Sequence, residues 1–233
     1  MKQKILKVLR RIIGTQQYCY KRSYSQDGED AVLASFYESK RPDYKGFYID
    51  IGAHHPKRFS NTQFFYEKGW SGINIDATPG SMKPFMKERK RDINIEAGVS
   101  YKHDEFEYYL FEEAALNSFD VKLSEQRIKD GCSIKERRKV KVFPINYLLN
   151  KYIPAHIKHI DFMSIDIEGM EYTILKSMDF KNYAPDFLLV EDLELKNDDI
   201  LECSKSLLYQ FLKGKGYSII AKTQRTVIYR LCS

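Results

Sequence analysis

The sequence is poor in the features that mark several common protein classes. Its four cysteines, Cys19, Cys132, Cys203 and Cys232, lie far apart with no CxxC spacing. That excludes a disulfide framework or a structural zinc site and points to free thiols in a reducing compartment. No apolar run approaches the roughly 20 residues that cross a bilayer. The N-terminus carries basic charge but lacks the continuous apolar core and small-residue cleavage site of a secretory signal. The expected location is therefore cytoplasmic. There is no GxxxxGK[ST] phosphate loop, no internal repeat and no low-complexity stretch. Acidic groups are missing from residues 1–22, which hold seven lysines and arginines, while beyond them 31 basic groups face 32 acidic ones. A main domain so balanced does not carry the basic footprint of a nucleic-acid binder, so no nucleic-acid partner is expected.

What is present is an ordinary globular composition, 43% hydrophobic and 30% charged over 233 residues, enough to bury a sizeable core. The chain divides into a basic amphipathic arm, residues 1–23, and a main domain, residues 24–233. Within the arm, Ile5, Leu6, Leu9, Ile12 and Ile13 share one helical face over residues 2–13 and basic groups take the other. Such a helix packs on its own domain, or makes peripheral contact with an anionic membrane, here its inner face. The main domain alternates short apolar strands with amphipathic helices. Strands are expected at residues 47–51, 72–76, 93–97, 159–166 and 187–190, with helices after them. Two more strands, 216–221 and 226–231, close the chain as a pair. This alternation predicts an α/β fold: a central, mostly parallel, seven-stranded Rossmann-like sheet ending in an antiparallel hairpin. Residues 102–140 read as a mid-chain insertion. Glu105–Phe111 and Ser118–Val121 suggest paired strands, and the charged run 122–139 suggests an exposed linker or lid.

Several strands end in an acid. Asp50 closes Phe47-Tyr-Ile-Asp-Ile51 just before Gly52, Asp76 closes Gly72-Ile-Asn-Ile-Asp76, and Asp166 and Glu191 occupy matching positions further on. A buried carboxylate is rarely tolerated without a partner. In open α/β sheets ligands bind outside the carboxyl ends of the strands, and an acid after the second strand takes the ribose hydroxyls of a nucleoside cofactor. The turn after the first strand has one glycine, whereas a pyrophosphate cradle needs GxGxxG. S-adenosylmethionine carries no phosphate and tolerates a less glycine-rich turn.

Tyr24-Ser-Gln-Asp-Gly-Glu-Asp30, Phe47-Tyr-Ile-Asp-Ile-Gly-Ala53, Phe59-Ser-Asn-Thr62, Gly69-Trp-Ser-Gly-Ile-Asn-Ile-Asp76 and Phe162-Met-Ser-Ile-Asp-Ile-Glu-Gly-Met-Glu171 occur in this order. Together they resemble the FkbM family of S-adenosylmethionine-dependent methyltransferases, over residues 24 to about 230. The resemblance implies a class I methyltransferase fold, S-adenosyl-L-methionine as cofactor, and O-methylation of hydroxyls on sugars, surface-polysaccharide or glycan precursors, or natural products. By position it implies that Asp50, Gly52 and Ala53 lie at the cofactor's methionine end, with Asn61 also contributing. Asp76 would hold the ribose, Ala97 and Val99 would border the adenine, and Asp166 and Glu168 would lie near the transferred methyl. This sequence departs from the family pattern D-[IV]-G-A-N-x-G, placing His54 and Pro56 where Asn and Gly are usual; proline cannot adopt the left-handed turn that glycine would.

Removing a proton from a hydroxyl acceptor calls for a histidine or carboxylate. Asp166, His55 and His54 are the catalytic candidates, each histidine equally readable as a hydrogen-bonded loop residue. His54, His55, Asp166 and Glu168 are donors that suit several divalent ions. No i, i+4 histidine pair or HxxE spacing accompanies them, and no metal is assigned. The contrasting reading is a non-catalytic nucleotide-binding or membrane-docked module that works through the basic arm.

Overall fold

The computed structural model describes residues 22–37, 43–192 and 200–232. The expected amphipathic helix over residues 2–13 lies outside the described residues. Helix α1 (Glu29–Tyr37) leads to β1 (Phe47–Ile51), α2 (Gln63–Glu67), β2 (Ser71–Asp76), α3 (Met82–Glu88) and β3 (Ile93–Glu96). Next come β4 (Gly98–Ser100), β5 (Asp104–Phe111), α4 (Val121–Lys129) and β6 (Ile134–Pro144). The chain continues through α5 (Ile145–Tyr152), β7 (Phe162–Ile165), α6 (Glu171–Ser177), α7 (Phe180–Tyr183) and β8 (Phe187–Glu191). It closes with α8 (Ile200–Cys203), α9 (Leu207–Gly214), β9 (Tyr217–Lys222) and β10 (Thr226–Leu231).

Seven strands form the main sheet in the order β3-β2-β1-β7-β8-β10-β9. The first five run parallel, and β10 lies antiparallel to both β8 and β9. This is the doubly wound sheet with a terminal hairpin that the alternation predicts. Every residue of β1 is buried because helices cover both faces. Successive side chains take opposite faces. Phe47, Ile49 and Ile51 pack with Ile73, Ile75, Met163, Ile165 and Val190, whereas Tyr48 packs on the other side with Phe65, Trp70 and Phe162. Each fully buried isoleucine contributes about 1.5–3 kcal/mol of burial free energy.

Asp50 shares the face of Tyr48, not that of Ile51. It pairs in register with Asn74 on one side and Ser164 on the other, so a buried polar row crosses the sheet there. Its position is set by the period of two, which sends it into the layer under α2.

The inserted segment differs from the expected linker. Its charged run forms α4 and then the long strand β6, which pairs with β5 and with β4 in a second sheet ordered β4-β6-β5. Asp120 caps α4 by accepting from the Leu123 amide at 2.9 Å, and Arg127 and Lys129 lie in its last turn, where the helix dipole favours cations. Val121 therefore starts a helix, and of the expected strand 118–121 there remains a bridge between Ser118 and Tyr109. Strand β6 holds its lysines against acids of β5: Lys139 faces Glu107 and Lys141 faces Glu105. Such pairing joins residues some thirty positions apart and leaves no local apolar period. No helix among the described residues is long and apolar enough to cross a membrane.

Candidate functional site

The strand order reverses between β1 and β7, and a crevice opens at the carboxyl ends of the strands there. It encloses a cavity of about 220 Å³ whose lining includes Gly52, Asp76, Val99, Tyr108, Asp166 and Glu191.

The turn after β1 shapes one wall. Gly52 has φ +82, and a Cβ there would stand 1.6 Å from the Asp166 carbonyl oxygen, so only glycine lets the two strand ends approach. The left-handed conformations that Pro56 cannot supply fall instead on His54 (φ 53) and Phe59 (φ 57). The Asp76 carboxylate holds this turn: one oxygen accepts the His54 amide at 2.9 Å, the other the Thr78 amide at 2.8 Å. His55 Nδ1 accepts the amides of Lys57 and Arg58 at 3.1 and 3.0 Å, which fixes its neutral tautomer with the proton on Nε2. Its pKa is lowered, chiefly by burial. His54 is also held below its ordinary value by burial, and its Nε2 faces Arg58 Nη1 at 3.2 Å.

Beneath the turn lies Arg89, fully buried. Its Nε donates to Asp92 at 2.9 Å and Nη1 to the carbonyl of Pro56 at 3.0 Å. Nη1 also reaches Gln63, and Nη2 donates to the Tyr48 hydroxyl at 2.8 Å and to Thr62 at 2.9 Å. Thr62 in turn donates to Asp50. Burial pushes the Asp50 carboxyl up to about 6, while Arg89 and the Thr62 hydroxyl pull the other way. The acid that ends β1 therefore belongs to a polar network that anchors the turn from below.

On the opposite wall three acids converge. Asp166, Glu168 and Glu191 each place an oxygen within 4.8 Å of the others. Glu168 sits in a left-handed conformation, φ 57, and pairs with Arg127 of α4, whose second nitrogen donates to the Leu116 carbonyl at 2.8 Å. Glu171 accepts the amides of Ile167 and Gly169 and so shapes the 166–169 loop. Burial raises the Glu168 carboxyl, and Arg127 opposes the rise. Burial and the neighbouring Glu168 push Glu191 up to about 8. Asp166 is raised as well, by its depth among protein atoms and then by Glu191 and Glu168. Its side chain still meets solvent through the crevice mouth. At that mouth the like charges of Glu191 and Glu168 crowd Asp166. Two such close carboxyls titrate as a pair.

Of the residues singled out from sequence, Gly52, His54, Asp76, Ala97, Val99, Asp166, Glu168 and Glu191 line the crevice. Asp50, Ala53, His55 and Asn61 are not part of that lining: Asp50 faces Thr62, Ala53 packs on Met82 and Phe85, and Asn61 donates to Ser164. Sequence reasoning passed over Arg127, which reaches the site from the inserted segment, and Arg89. Nothing local marks either one, since each acts through partners distant in sequence. Tyr108 also enters the lining, its hydroxyl 3.3 Å from that of Thr78.

Compared with curated proteins, the sequence has no match. Among solved structures, the methyltransferase FkbM from Methylobacillus flagellatus KT aligns at 13% identity with a TM-score of 0.47, covering 89% of this chain and 56% of that one. This chain thus spans little more than half the length of that protein. A precorrin-6y C5,15-methyltransferase from Geobacter metallireducens GS-15 aligns at 12% identity and TM-score 0.43, covering 94% of this chain and 96% of that one. The SAH-bound methyltransferase PaMTH1 of Podospora anserina aligns at 11% identity and TM-score 0.41, covering 97% and 96%. These likenesses are distant, and the class I methyltransferase fold is carried by the strand order itself. By sequence, residues 50–219 match the methyltransferase FkbM domain. That match spans well over half of the chain, which therefore belongs to the FkbM family of methyltransferases.

Proposed function

We propose that this chain is an S-adenosylmethionine-dependent methyltransferase acting on a hydroxyl of a sugar, a glycan precursor or a natural product. The observation that carries the reading is the placement of Asp76 and Asp166, at the ends of separate strands, on one crevice with Gly52 between them in the β1 turn. These residues suit the cofactor. Each Asp76 oxygen takes one backbone amide, which orients the carboxylate and leaves lone pairs for two ribose hydroxyls. Ala97 and Val99 offer small apolar surface beside it for a purine. Gly52 leaves the backbone open to close approach. When bound, S-adenosylmethionine supplies an electrophilic methyl group on a sulfonium.

The chain's own part is positioning and proton removal. Asp166, at the crevice mouth with Glu191 behind it, takes the acceptor's hydroxyl proton as the oxygen gains its methyl group. Of the three catalytic candidates it is the best placed. His54 has Nε2 occupied by Arg58, and the Nδ1 lone pair of His55 is spent on the turn.

Calorimetric titration with S-adenosylhomocysteine tests the cofactor assignment. Wild type binds, and Asp76→Ala binds at least tenfold more weakly; equal affinity in the two would overturn the site. Transfer of a labelled methyl group from S-adenosylmethionine to a panel of sugar acceptors then tests the hydroxyl class.

A further inference from the structure

The acids of the crevice wall come from three segments, the end of β7, the loop before α6 and the end of β8, and they meet within 4.8 Å. Glu191 is 6% exposed, and its Oε2 has no hydrogen-bond partner among the described residues. A carboxylate oxygen buried without a donor is costly, and a site that keeps one commonly holds it for a ligand. Arg127 is the one cation among the described residues that forms an ion pair with any of the three, and it takes Glu168. Asp166 and Glu191 are left facing each other. Glu191 also lines a second cavity, of about 280 Å³, beside Asp120, Tyr172, Asp192 and Leu208. Glu191 therefore stands at the junction of the two cavities.

We propose that Asp166, Glu168 and Glu191 form a binding site for one hard divalent cation of the Mg²⁺, Mn²⁺ or Ca²⁺ class. All donors are carboxylate oxygens, with no imidazole or thiolate in the cluster, and hard cations prefer such sets. Glu191 Oε2, which takes no hydrogen bond from a donor among the described residues, supplies one ligand atom. The sequence offers Asp166 and Glu168 as donors beside the two histidines; pairing of β7 with β8 brings Glu191 to them instead. A cation here would border the crevice that all three acids line, where it would make an acceptor hydroxyl more acidic and ease the loss of its proton to Asp166. That consequence rests on the methyltransferase reading; the binding itself does not.

The test is Mn²⁺ titration of the chelator-treated full chain, followed by electron paramagnetic resonance, with S-adenosylhomocysteine titrated separately by calorimetry. The expected result is one Mn²⁺ per chain, displaced by excess Mg²⁺ or Ca²⁺. Glu191→Gln, which keeps the side-chain shape, weakens Mn²⁺ at least tenfold while its circular dichroism matches wild type. A control, Asp186→Asn, removes an acid from the other close cluster, His159, Asp161 and Asp186, and leaves Mn²⁺ affinity unchanged. No Mn²⁺ binding by wild type, or equal binding by Glu191→Gln, overturns the proposal. Mn²⁺ bound without any S-adenosylhomocysteine binding would instead sink the methyltransferase reading and leave the cation site standing.

Discussion

Replacing Arg89 with methionine probes the support beneath the turn. The guanidinium is fully buried, as is the Asp92 side chain it pairs with at 2.9 Å. Methionine fills comparable apolar volume but returns none of the hydrogen bonds to Asp92, Pro56, Gln63, Tyr48 and Thr62. Asp92 keeps the Tyr48 hydroxyl, the Gly72 amide and the Asn74 amide group as donors, but it loses its counter-ion. Breaking one partner of a buried pair costs about 3–5 kcal/mol. For a chain of this length a loss of that size lowers the melting temperature by roughly 6–20 °C, at about 2–4 °C per kcal/mol. The Pro56 carbonyl also loses its donor, so the turn loosens and S-adenosylhomocysteine affinity falls. Guanidinium unfolding followed by circular dichroism reads the first effect and calorimetry the second. The double variant Arg89→Met/Asp92→Asn should regain part of the loss by removing the unpaired charge. A single variant within about 1 kcal/mol of wild type, or a double variant less stable than the single, would refute the idea that this ion pair anchors the turn.

Gly52→Ala should cost about 3 kcal/mol or more, because its Cβ would overlap the Asp166 backbone oxygen and the residue must hold φ +82; a melting temperature equal to wild type would contradict the close approach of the two strand ends. Burial pushes Glu171 from 4.5 up to about 7, so the folded state keeps a proton that the unfolded chain releases between those values. Stability from this group is thus greatest below about pH 4.5 and declines as pH rises towards 7, by about 3 kcal/mol in all. Glu171→Gln should remove that decline, so that the unfolding free energy of wild type falls relative to the variant's as pH rises from 4.5 to 7; identical pH profiles would rule out the raised pKa.

Much of the architecture is legible in local pattern. Phe47–Ile51, Ser71–Asp76 and Phe162–Ile165 announce themselves by β-branched and aromatic runs bounded by turns, and their alternation with helices is enough to imply a parallel sheet. The site is legible only where function depends on the end of an element. Asp76 and Asp166 follow the last apolar residues of their strands and do face the crevice. Asp50 reads in the same way, yet stands one position short of the end of β1, in register with Asn74 and Ser164, so it is buried within the sheet and takes the Thr62 hydroxyl instead of reaching the crevice. The charged segment 122–139 misleads for a different reason. Its helix and strand are stabilised by a cap at Asp120 and by acids on β5, not by an apolar period.

The sequence by itself determines the order of strands and helices, the glycine at the first turn and the acids at strand ends, because each depends on residues a few positions apart. Only the tertiary structure decides which acids meet. Glu191 joins Asp166 and Glu168 through the β7–β8 pairing, Arg127 arrives from the inserted helix, and Arg89 binds the turn from the end of α3. Those contacts join segments up to tens of residues apart, where side-chain direction and burial set the chemistry and local spacing carries no record of it.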